Sequence, residues 1–97
     1  MAKQVDGNQT AVVAALRAAG ASVLHLHEIG RGAPDLLVGI AGVDALVEVK
    51  DGAKAASARK LNEDQVAWHR QWRGRTVTVI TSAREAFDFA RHLAGGR

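Results

Sequence analysis

The run Gly32-Ala33-Pro34-Asp35-Leu36-Leu37-Val38-Gly39-Ile40, followed after Ala41-Gly42-Val43-Asp44 by Ala45-Leu46-Val47-Glu48-Val49-Lys50, decides how this chain is read. Residues 35–40 and 45–50 are short and rich in branched apolar side chains, so they read as strands with 41–44 as a hairpin connection. With Gly42 and Val43 as the central pair, Gly42 takes the first central position of a type II′ turn. In that register Asp35 faces Lys50 and Leu37 faces Glu48. Residues two apart share a strand face, so Glu48 and Lys50 point the same way with Asp35 opposite one and diagonal to the other. A one-residue slip would send Asp35 to the other face.

Two carboxylates and an amine placed in this way suit metal-assisted hydrolysis of a phosphodiester. The substrate is already anionic, so a hard cation must neutralise its oxygens and lower the pKa of the attacking water. Asp35 and Glu48 supply the oxygen ligands that Mg²⁺ prefers, and Lys50 can orient the water or stabilise charge on the phosphorane. The plainer alternative is a solvated edge with a cross-strand ion pair. Against it, Leu36, Val38, Val47 and Val49 alternate with the acids, and Leu37 and Leu46 share their face, which a wholly solvated surface would not carry.

Ninety-seven residues make one small domain, 1–97, with a single core and no room for a separate substrate domain. Thirteen Lys plus Arg against ten Asp plus Glu give +3, which suits a polyanionic partner. The absence of cysteine excludes a disulfide frame and a cysteine zinc site and is compatible with a cytoplasmic protein. The four His give no HExxH, and His25-x-His27 reads as two same-face residues of a strand. No signal peptide opens the chain, no apolar run reaches membrane length, and no membrane partner is expected.

A first helix is expected over 7–19, with Asp6 as N-cap and Gln9, Val12, Val13 and Leu16 on one face. Residues 22–27 read as the first strand. Gly30 and Gly32 then make a flexible approach to Asp35, open enough for a phosphate backbone. Residues 51–60 read as a mobile basic loop; with Arg31, its Lys54, Arg59 and Lys60 are the candidates for nucleic-acid phosphates, against an ordinary solvated connection. A second helix starts near Asn62 with Gln65 as capping-box partner. Leu61, Gln65, Trp68 and Trp72 form one stripe, on which Gln65 is either that reciprocal cap or a group reaching into the active site. The tryptophans read as core rather than as base-stacking platforms. A strand over 76–80 and a helix opened by Ser82 and Glu85 and closed at Gly95-Gly96 complete the order αβββαβα. Three meandering strands and a helical crossover to a fourth, parallel to the third, give an α/β chain with a mixed α+β sheet.

Gly32 to Gly39, Leu46-Val47-Glu48-Val49-Lys50, and Leu61-Asn62-x-x-Gln65-x-x-Trp68 together resemble the virus-type replication-repair nuclease (VRR-NUC) domain, a branch of the PD-(D/E)xK superfamily. The resemblance spans nearly the whole chain and implies a stand-alone nuclease of phage or bacterial type with a restriction-endonuclease-like core. It implies that Asp35 and Glu48 bind Mg²⁺ or Mn²⁺, that the Val49 carbonyl completes the ligand set, that Lys50 serves the nucleophile and that Gln65 assists at the phosphate. It further implies a homodimer cutting branched DNA such as Holliday junctions, with no small-molecule cofactor. Where the superfamily often places a Glu on its first helix, this chain has Gln9, an outer-shell candidate, so weaker metal binding or one well-occupied ion is expected. The alternatives are a DNA-binding pseudonuclease and an accessory to a replication or packaging partner.

Overall fold

The computed structural model describes residues 7–95. Its elements run α1 (Gln9–Ala18), β1 (Ser22–His25), β2 (Leu36–Ile40), β3 (Val43–Val49), α2 (Ala56–Arg59), α3 (Glu63–Gln71), β4 (Thr78–Ile80) and α4 (Ala83–Gly95). The strands form one sheet in the order β1-β2-β3-β4; the first two pairings are antiparallel and β3–β4 is parallel. This is the expected meander and crossover, with one addition. The stretch read as a basic loop contains the four-residue α2, too short and too poor in apolar residues to show helical periodicity.

Strand alternation gives the sheet two unlike faces. Leu36, Val38, Val47, Val49 and Ile80 point to one side and pack with Val12, Val13 and Leu16 of α1 and Ala86 and Ala90 of α4. All are buried, and the small alanines of α4 let its backbone come close to α1. Asp44, Leu46 and Glu48 point to the other side of β3. That side is approached by α3.

The hairpin corrects the expected register. Leu36 pairs with Val47, Leu37 with Leu46 and Ile40 with Val43, so Ala41 and Gly42 are the central residues and Asp35 does not face Lys50. Both have positive φ, 53° and 79°, as a type I′ turn requires. This keeps β-branched Val43 in the strand, at the cost of a left-handed Ala41. The slip is two residues, so every side chain keeps its face. Continuing the pairing by one residue brings Asp35 opposite Glu48.

The helix ends hold smaller differences. Asn8 stands at the N-cap of α1 without a side-chain cap bond, and the expected cap Asp6 lies outside the described residues, as does Gly96. The Asn62–Gln65 capping box of α3 is present in full. At α4 the Glu85 amide is capped by Ser82 Oγ at 3.1 Å, while the Glu85 carboxylate accepts from the Thr81 amide and hydroxyl at 2.6 and 2.9 Å.

Candidate active site

Asp35 enters the site from a tightly built turn. Leu26 N–H donates to the Asp35 carbonyl at 2.7 Å, continuing the β1–β2 ladder, and Ala33 and Pro34 before it are buried. Gly32, expected to leave room for a phosphate, instead presses on α3. Its φ is +86°, and a Cβ there would lie 2.2 Å from the Asp64 carbonyl oxygen, so any side chain must push the first turn of α3 away. The approach to Asp35 is a close loop–helix contact and not an open one.

That contact sets Gln65 over the sheet. Its Oε1 accepts from the Asn62 amide at 2.9 Å and from Lys50 Nζ at 3.1 Å, and its Nε2 donates to Glu48 Oε2 at 2.9 Å. Both readings of Gln65 therefore hold at once: it is the capping-box partner and it reaches the charged cluster. A lysine ammonium only donates and a carboxylate only accepts, so the amide orientation is the one these two neighbours require. Lys50 Nζ lies 3.8 Å from Glu48 Oε2.

Asp35 Oδ2 accepts the Val49 amide N–H at 2.8 Å, across the open end of the β2–β3 ladder. In an extended strand the N–H and C=O of one residue leave along the same edge, so the Val49 carbonyl points toward the Asp35 side as well. Asp35 is 3 % exposed, Glu48 1 % and Gln65 3 %, while the Lys50 side chain keeps 14 %. Buried charges persist only where paired or bound to a cation.

The donor set suits a hard divalent cation. Two carboxylates and a backbone carbonyl stand at the end of β3, and among the described residues no three His, Cys, Asp or Glu gather that could form an all-side-chain cage. Mg²⁺ characteristically takes one or two carboxylates and completes its shell with water and substrate oxygens.

The other expected residues fall outside this cluster. Gln9 is buried on α1, but its Nε2 lies 3.1 Å from His25 Nδ1 on β1. The rings of His25 and His27 meet edge to face at 6.0 Å, although β1 ends at His25. Arg31, Lys54, Arg59 and Lys60 are all exposed. Lys54, Arg59 and Lys60 lie on the segment that leaves at Lys50 and returns at Asn62, so both its ends are anchored at the cluster.

Two features escape sequence reading. The Asn8 side chain donates to the carbonyls of Lys50 and Thr81 at 3.1 and 2.9 Å, tying the start of α1 to the ends of β3 and β4. Asparagine before a helix signals a cap, and nothing in its position announces this use. Trp68 and Trp72, read as core, are stacked on each other with centroids 4.9 Å apart and planes at 15°, and Trp72 is 47 % exposed.

A solved structure described as a VRR_NUC domain is 34 % identical to this chain, with a TM-score of 0.65, over 87 % of this chain and 90 % of that one. No protein-family model and no curated protein matches the chain.

Proposed function

The chain belongs to the VRR_NUC domain family, nucleases of the PD-(D/E)xK type, and from that premise we propose a metal-dependent endonuclease acting on branched DNA such as Holliday junctions, with Asp35, Glu48, Lys50 and Gln65 as its catalytic group. The observation that carries this reading is the bonded chain Lys50–Gln65–Glu48 on one sheet face with Asp35 opposite Glu48.

Asp35, Glu48 and the Val49 carbonyl are the residues to hold Mg²⁺ or Mn²⁺, which would neutralise phosphate oxygens and lower the pKa of bound water. The rest is work for the chain itself. The Val49 amide holds the Asp35 carboxylate at a set angle. Gln65 keeps the Lys50 ammonium forward and stops it collapsing onto Glu48, leaving its remaining N–H bonds for the attacking water or a phosphate oxygen. Burial keeps these interactions strong by excluding bulk water. Arg31, Lys54, Arg59 and Lys60 supply sequence-independent phosphate contacts around the cut. Gln9, a neutral amide occupied with His25, adds no charge at the site, so one well-occupied ion is expected.

Two symmetric incisions in a junction require two active sites, and twofold pairing of this chain provides them. Sedimentation should give a homodimer at micromolar concentration; a monomer with and without DNA contradicts that part.

The test is cleavage of labelled four-way, flapped, nicked and linear duplex DNA with Mg²⁺, Mn²⁺ or chelator. Branched substrates should be nicked only with metal, and the Asp35→Ala/Glu48→Ala double variant should be inert while still folded. Cleavage by the double variant, or equal rates on linear and branched DNA, would overturn the corresponding part of the reading.

A further inference from the structure

Leu24, Leu37 and Leu46 stand directly opposite one another across β1, β2 and β3, on the sheet face that carries Glu48. Helix α3 covers this face at its first turn through Gln65; its far end carries the stacked tryptophans. Beside Trp72 lies a hollow of about 410 Å³ lined by Leu37, Asp44, Leu46, Gly74 and Arg75. A Cβ at Gly74 would fall 2.7 Å from the Trp72 indole nitrogen, so the bare backbone lies against the ring and holds it. An indole buttressed by Trp68 on one side and Gly74 on another, yet 47 % exposed, is a platform and not a frayed core residue.

The surrounding charge narrows the occupant. Arg70, Arg73 and Arg75 are exposed, and no acidic residue occurs from 65 to 84. A second copy docked by a twofold axis would set this arginine cluster near itself, whereas a polyanion is attracted by it. Within the hollow, however, the Asp44 carboxylate repels phosphate and can accept from the exocyclic amine of a base. Leu46 is two residues from Glu48 along β3, about 7 Å, or two base steps of duplex DNA. A paired base has both faces covered by its neighbours and cannot enter.

Building on the nuclease reading, we propose that the Trp72 hollow receives one unpaired base of the DNA substrate, within about two nucleotides of the bond that is cut, by stacking on the indole while Arg75 takes the adjoining phosphate. The pocket thereby selects branched DNA that offers an unpaired nucleotide, a flap or a four-way junction whose crossover base pair has opened.

The test uses the full chain with Asp35→Asn, to prevent cutting, and follows tryptophan fluorescence during titration with a short oligodeoxycytidine and with an abasic phosphodiester chain of equal length. The base-bearing strand should quench fluorescence and bind about tenfold more tightly than the abasic one. Adding Trp72→Leu, which keeps apolar bulk but lacks an aromatic face, should remove that preference and leave abasic affinity unchanged; Trp72→Phe should retain part of it, with circular dichroism verifying the fold of both. Equal affinities in the parent, or an undiminished preference in Trp72→Leu, overturn the proposal, as does a dimer that Trp72→Leu converts to monomer without altering base preference. Because binding is read without cleavage, a failed pocket leaves metal-dependent nicking by the native chain intact, and a failed nuclease shows as no nicking under any divalent ion.

Discussion

The two faces of the sheet are built from the same strands and do opposite things. Toward α1 and α4, Leu36, Val38, Val47 and Val49 lie in an apolar layer where packing density is everything. Toward α3, Asp35 and Glu48 are as deeply buried, yet their neighbours are an amide, an ammonium and a backbone N–H. One face holds the strands in place; the other uses that rigidity to hold two buried carboxylates in fixed positions. Period-two alternation makes the division possible, because neighbouring residues such as Val47 and Glu48 can be changed for separate purposes.

The sharpest way to break this comparison is to neutralise a carboxylate. Asp35→Asn keeps an oxygen for the Val49 amide, so melting should stay within a few degrees of native while cleavage of a junction falls at least about a thousandfold, the loss of several kcal/mol of charge stabilisation. A variant that cuts well, or one that unfolds, would mean that the faces are not independent. Gln65→Leu should cost about 10- to 100-fold in cleavage by releasing Lys50 and Glu48, measured in the same assay. On the opposite face the pattern should invert: Val47→Ala should lower unfolding free energy in urea by about 2–3 kcal/mol, with cleavage at 25 °C close to native. Lys54→Ala/Arg59→Ala/Lys60→Ala should leave stability alone and reduce the slope of log affinity against log salt by about 1 for each phosphate no longer neutralised. Smallest of all, Arg84→Ala on the solvent side of α4 removes a pair with Asp88 at 3.2 Å, both partners mostly exposed, and should shift stability by less than about 0.5 kcal/mol.

Much of this division is written in the chain. The branched residues around Asp35 and Glu48 mark the strands, and Asn62 with Gln65 marks the capping box that opens α3. Face assignment survives the wrong turn because the two registers differ by two residues, an even number. The turn itself is illegible: Ala41 carries no sign of a left-handed backbone, and only pairing across the hairpin selects it. Gly32 likewise looks like any loop glycine until α3 arrives from thirty residues later to exclude its side chain. Trp68 and Trp72 show the same limit from the other direction. Helical spacing says that they share a face, and only the packed molecule says that this face meets a partly open sheet.

Thermal unfolding of the native chain and of Glu48→Gln, each with chelator and with excess Mn²⁺ and no DNA, reads the charged face directly, since a cation that binds only the folded state raises its melting temperature. The native chain should melt higher with Mn²⁺ and Glu48→Gln should show no such rise. An equal rise in both, or none in the native chain, would contradict a cation site built from these two carboxylates.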